Sequence, residues 1–167
     1  MKKLAKGDVA VNGLLSSIVK VVEEAWKPEL MATETAYRDS LLKVMREVVP
    51  EDCRVEREYR HAGTTADIYL AWKGMMFNDE IFIEMKRSLQ KKAAFDRLIG
   101  QIEELQPSKH KILLILVGDT DKGLLGRLNE RYNRYINGMF SSGRSMAIIV
   151  KSAPAESSNQ SSVNPPA

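Results

Sequence analysis

The chain has 167 residues, 44% hydrophobic and 28% charged, which suits a single soluble domain with a proper core. Its formal charge of +3, from 25 basic and 22 acidic residues, permits a polyanionic partner without demanding one, because domains dedicated to nucleic acid are usually more lopsided. The one cysteine, Cys53, excludes an intrachain disulfide and fits a reducing, cytoplasmic compartment, where it reads as a small strand residue.

"MKKLAK" opens like a signal peptide, but Gly7 and Asp8 interrupt it before an apolar segment of signal length forms. No run approaches transmembrane length, so no membrane association is expected. Residues 14–26 place Leu14, Leu15, Ile18, Val19, Val22 and Trp26 on one helical stripe, which "KPEL" breaks. A second helix starts near Thr33, a suitable N-cap, carries Tyr37, Leu41, Met45 and Val48 inward, and closes before Pro50. Three strands follow at 53–60, 65–72 and 80–87, separated by turn glycines in "HAG" and "KGMMFND". Residues 89–105 read as a helix with Ala94, Leu98, Ile102 and Leu105 on one face. "KILLILVG" (111–118) lacks polar alternation and reads as a buried, central strand. Asp121 caps a last helix that Gly138 ends, and 145–151 is a last strand. From Ser152 the composition turns to Ser, Pro and Asn, the signature of a disordered tail.

The expectation is one domain over 1–151 and a tail over 152–167. Meandering strands followed by an α/β crossover imply a mixed sheet with helices on both faces.

One strand departs from a simple core pattern. In "IFIEMKRS" (81–88), Glu84 and Lys86 stand two residues apart and so share a face. With the preceding turn centred between Met75 and Met76, Asp67 falls directly opposite Glu84, with Cβ atoms about 5 Å apart. Opposed like charges destabilise a sheet unless something compensates. Lys86 is one candidate, and a divalent cation is another, since Mg²⁺ takes one or two carboxylates plus waters and substrate phosphates. Glu34 lies on the inward stripe of its helix, three and seven residues before Tyr37 and Leu41. At a helix start it also complements the dipole.

Asp67 followed by Glu84-Met85-Lys86, on adjacent strands after a helical Glu34, resembles the PD-(D/E)xK signature of restriction endonucleases, Holliday-junction resolvases and RecB-type exonucleases. The likeness covers about residues 33–118 and includes the element order helix, three strands, helix, strand. It implies a restriction-endonuclease-like fold and an Mg²⁺- or Mn²⁺-dependent nuclease, an endonuclease acting on DNA. In that superfamily's pattern Asp67, Glu84 and the backbone carbonyl of Met85 hold the metal, Lys86 orients the attacking water, and Glu34 binds through water or helps a second ion. Gln101 in "GQIEEL" matches a glutamine that many members carry on the following helix. Two positions differ: Ala66 stands where the motif often has proline, and Leu105 where RecB-type members carry tyrosine, which sets the chain apart from that subgroup.

Arg87, Lys91, Lys92, Arg97 and Lys73 are the cations placed to receive DNA phosphates. The bland alternative is a solvated helix face, with Asp96, Glu103 and Glu104 on the same helix. "LVGDTDKG" lacks the GxxxxGK[ST] spacing of a P-loop. His61 and His110 read as ordinary surface residues. Met75, Met76 and Phe77 form an apolar hairpin tip suited to core or dimer packing, so a homodimer stays open. Two rival readings remain: an inactive member of the fold that binds nucleic acid or a protein partner, and an α/β interaction protein whose acidic pair is merely salt-bridged.

Overall fold

A computed structural model describes residues 3–74, 78–138 and 143–152. The expected hairpin tip at Met75–Phe77 and the expected tail from residue 153 onward lie outside the described residues. Ten elements follow in order: α1 (Lys6–Asn12), α2 (Leu14–Glu24), α3 (Glu34–Val48), β1 (Cys53–His61), β2 (Thr64–Lys73), β3 (Asn78–Arg87), α4 (Lys92–Glu104), β4 (Lys111–Val117), α5 (Lys122–Ile136) and β5 (Met146–Lys151). The strands form one sheet in the order β1-β2-β3-β4-β5. β1, β2 and β3 pair antiparallel, whereas β3, β4 and β5 pair parallel. The result is the mixed five-stranded sheet with flanking helices that the sequence pattern implies. β3 holds the middle place, and β4 is an inner strand beside it.

The two sheet faces carry separate cores. Ile68, Leu70, Ile81, Ile83, Met85, Leu113 and Ile115 pack under α1, α2 and α3. Phe82, Ile112, Leu114 and Leu116 pack with Leu98 and Ile102 of α4 and Leu128 and Tyr132 of α5. β3 and β4 are buried on both faces, which removes the polar alternation expected of a one-sided strand. Among the described residues no helix is long and apolar enough to cross a membrane.

Two caps are local. Thr33 Oγ1 accepts from Ala36 N at 3.1 Å, and Asp121 Oδ1 accepts from Leu124 N at 2.8 Å. The cap of α2 is not. Gly13, at φ 77, has no side chain to offer, and the free Leu14 N–H donates instead to Asp79 Oδ2 of β3 at 3.0 Å. Lys111 Nζ, at the start of β4, donates to the other oxygen of Asp79 at 2.7 Å. One buried carboxylate therefore ties α2, β3 and β4 together. The pattern of the first 13 residues does not predict α1, which is seven residues long and whose N-cap, Ala5, makes no side-chain hydrogen bond.

The β1–β2 hairpin turns a corner halfway along. The β2–β3 ladder stops at Ile68↔Ile83. On the β1 side, no pairing joins Glu58 to Asp67 between Arg57↔Ile68 and Tyr59↔Ala66. Glu58 has φ 51, a left-handed conformation that side chains other than glycine rarely adopt. Face alternation inverts there: Ile68 and Leu70 lie in the α1–α3 core, but Ala66 lies in the α4–α5 core with Tyr59 against it. The hairpin end thus rolls over the α4–α5 face. His61 comes within 5.0 Å of the Phe82 ring and 4.7 Å of the His110 ring. The reading of both histidines as ordinary surface residues is corrected by this contact. They are half-buried ring partners, and His110 Nδ1 lies 3.1 Å from Glu80 Oε1.

Removing the Asp79 carboxylate leaves Leu14 N–H without its acceptor and Lys111 without its partner. Asp79→Ala should lower unfolding stability by about 2–4 kcal/mol in chemical denaturation, and Asp79→Asn by less. A loss below about 0.5 kcal/mol in the alanine variant would contradict the tie, since that is the range of ordinary surface changes.

Candidate active site

Four of the predicted site residues converge where the corner leaves β3 exposed to its neighbours. The register puts Lys73 opposite Asn78 and Ile68 opposite Ile83, the hairpin centring assumed from the sequence. One step further, at the point where the ladder ends, lie Asp67 and Glu84. Asp67 Oδ2 accepts from Met85 N at 2.8 Å. The carboxylate thus satisfies a backbone donor beyond the last β2–β3 pair.

Glu84 is 2% exposed, and its Oε2 is buried with no hydrogen-bond partner among the described residues. Burial first, and then the Asp67 charge, push its carboxyl up to about 8, against the pull of Lys86. Burial also raises Asp67; the Met85 N–H lowers it, Glu34 raises it, and Lys86 and Arg38 lower it. The Asp67 charge reaches Glu84 and opposes its ionisation, although the two form no ladder pair, since the β2–β3 pairing stops at Ile68↔Ile83.

Lys86 stands between two acids, with Nζ 3.3 Å from Glu34 Oε1 and 3.9 Å from Glu84 Oε1. Glu34 Oε2 accepts from Arg87 N at 2.9 Å. Both oxygens of Glu34 are therefore engaged with the end of β3, which docks the first turn of α3 there. Gln101 sits on α4, and its Oε1 is buried without a hydrogen-bond partner among the described residues.

A fifth residue was missed by sequence reasoning. Arg38 is 8% exposed, with Nη1 3.0 Å from Glu58 Oε1 and 3.4 Å from Asp67 Oδ1. Its signal was the four-residue spacing from Glu34, which stacks the two on one helix face. The usual rule that arginine faces water hid it.

The predicted phosphate-binding cations are dispersed. Arg87, Lys91, Lys92 and Arg97 are exposed at the end of β3 and the start of α4. Lys92 pairs with Asp96 at 2.6 Å. Lys73 is at the far end of the β2–β3 hairpin, about 20 Å of strand from Glu84.

Among the described residues no three or more His, Cys, Asp or Glu side chains form a group able to hold a metal ion. Two carboxylates and a backbone carbonyl are a sparser set, of the kind Mg²⁺ completes with waters and substrate oxygens.

No protein-family model matches the sequence, and no curated protein matches it. Among solved structures, "The structure of Pyrococcus Furiosus SfsA in complex with Ca2+" is similar at a TM-score of 0.40 and 13% identity. The similarity covers 70% of this chain and 56% of that one, so the chain spans little more than half that protein's length. At this level of likeness the chemistry has to be read from the side chains of this chain.

Glu84 sets a pH dependence. Its carboxyl is raised from 4.5 to about 8. Between those values the native state holds a proton that the unfolded chain releases, so stability falls as pH rises through that window. With chelator present, Glu84→Gln should stabilise the protein at pH 8 by on the order of 1–3 kcal/mol over wild type. The gain should close toward pH 5. A pH-independent difference would show that Glu84 does not carry the buried charge.

Proposed function

We propose that the chain is a divalent-metal-dependent nuclease that hydrolyses DNA phosphodiester bonds. The observation that carries this reading is the orphaned Glu84 Oε2, buried next to a second carboxylate that opposes its ionisation. A buried acceptor without a donor costs free energy, and a cation shared with Asp67 would satisfy it. The residues present fit such an ion: Asp67, Glu84 and the carbonyl of Met85 would hold Mg²⁺ or Mn²⁺. When bound, such an ion supplies a lowered water pKa and neutralises charge developing on the phosphoryl oxygens.

This chain's own groups do the rest. Lys86 Nζ, 17% exposed and held by Glu34 at 3.3 Å, donates to the attacking water or to a phosphate oxygen. Glu34 acts by aiming Lys86, because Lys86 and Arg87 N already take both its oxygens. Arg87, Lys91 and Arg97 at the end of β3 and the start of α4 receive the DNA backbone.

A specific observation favours a second reading, a nuclease-fold protein that binds nucleic acid or a protein partner without cutting. Asp67 already faces Arg38, and Glu84 and Glu34 share Lys86. Three acids so compensated can persist as a salt-bridged cluster.

Incubation with Mg²⁺ or Mn²⁺ on linear, circular, branched and single-stranded DNA separates the two. Cleavage should stop with chelator and in Glu84→Ala, and fall by about 10²–10⁴-fold in Lys86→Ala. Cleavage that survives in both variants would overturn the nuclease assignment. DNA retention without cleavage would move it to the second reading.

A further inference from the structure

Arg38 is the component of the site for which the hydrolytic reading has no use. Its guanidinium lies inside the corner, and the acids around it are the partners it can reach: Glu58, Asp67 and Asp39, the last 3.7 Å from Nε.

We infer that Arg38 is an exchangeable counter-cation of Asp67: it occupies the carboxylate when no divalent ion is bound and shifts wholly onto Glu58 when one loads. The inference rests on the metal-site reading above. Asp67 Oδ2 is taken by the Met85 N–H at 2.8 Å, so Oδ1 is the oxygen open to a cation. Arg38 Nη1 already stands 3.4 Å from that same oxygen. Two cations at one carboxylate oxygen repel strongly where water is excluded. Arg38 is too buried to escape to solvent, and leaving it unpaired would cost more than keeping it paired.

Glu58 offers the place to go. Its Oε1 is the nearer partner of Arg38 Nη1, at 3.0 Å. It is brought there by a backbone that is strained at φ 51. Strained positions persist where the surroundings over-determine them, and they cluster at working sites. Here the strain delivers a carboxylate to the one cation that competes for Asp67 Oδ1 among the described residues. Arg38 is in this sense a positioning residue: it acts on metal loading through Asp67.

Isothermal titration of Mn²⁺ into the metal-free full-length chain tests this. Arg38→Gln should bind Mn²⁺ tighter by on the order of tenfold, the low end of what neighbours of a metal ligand change. Glu58→Gln should bind it more weakly. Glu58 also faces Arg57, at the longer distance of 3.8 Å, but in the double variant the Glu58 effect on Mn²⁺ should vanish, because it reaches the ion by accepting Arg38; a simple long-range field would give additive effects instead. Unchanged or weaker binding in Arg38→Gln, or additivity in the double variant, overturns the inference while wild-type binding keeps the metal site. No Mn²⁺ binding by the wild type overturns both. Should Arg38→Gln fail to fold, Arg38→Met takes its place in the same double-variant comparison, and unchanged binding in Glu58→Gln alone overturns the inference.

Discussion

The site depends on one hydrogen bond, from the Met85 N–H to the Asp67 carboxylate. A ladder that stops partway leaves backbone donors in a place with little water, and such donors have to be satisfied. β2 parts from β3 after Ile68↔Ile83, and the first residue past the break supplies the acceptor from its side chain. With that donor satisfied, β2 is free to turn away. Glu58 takes its left-handed conformation across from Asp67, and Ala66, Tyr59 and His61 reach the opposite core. The bond also sets Asp67 against Glu84. The packing of the hairpin end and the chemistry of the acids follow from the same break.

Charge in the site is shared sparingly. Three cations, Arg38, Arg57 and Lys86, serve Asp67, Glu58, Glu34 and Glu84, and each faces more than one acid. α3 contributes one acid and one cation from the same face, at Glu34 and Arg38. One docking event therefore sets both sides of the cluster. Most of these groups sit on regular elements, which hold side chains more closely than loops do. The orphaned Glu84 Oε2 is the place where this sharing runs out.

How much of this was legible in the sequence depended on distance along the chain. The strand pattern of "IFIEMKRS", the caps at Thr33 and Asp121 and the centring of the β2–β3 hairpin rest on neighbours or on one short turn. Each was readable from periodicity and turn centring. Arg38 was not, because burying an arginine makes sense only once distant Glu58 and Asp67 are known to surround it. The contact of His61 with His110 was hidden by the corner, since a regular strand would send the hairpin end elsewhere. Asp79 as the cap of α2 was invisible too: it lies 65 residues from Leu14. α1 offered too few residues and no capping side chain to announce itself.

The spans of these bonds give the chain an order of assembly. Asp67 and Met85 are 18 residues apart, within two adjoining strands, and local pairs close early because their loops carry little entropy cost. Glu34 reaches Lys86 and Arg87 across 52 and 53 residues, and the parallel β3–β4 pair has to wait for the helix between them. The acids are therefore brought together by the nascent hairpin before α3 delivers Arg38 and locks Lys86. For that interval the folding chain carries two opposed carboxylates with Lys86 as their local cation. Burial is the largest cause of the raised Glu84 carboxyl, so its proton is taken up only as packing closes over the hairpin, and that late docking step is the one pH governs.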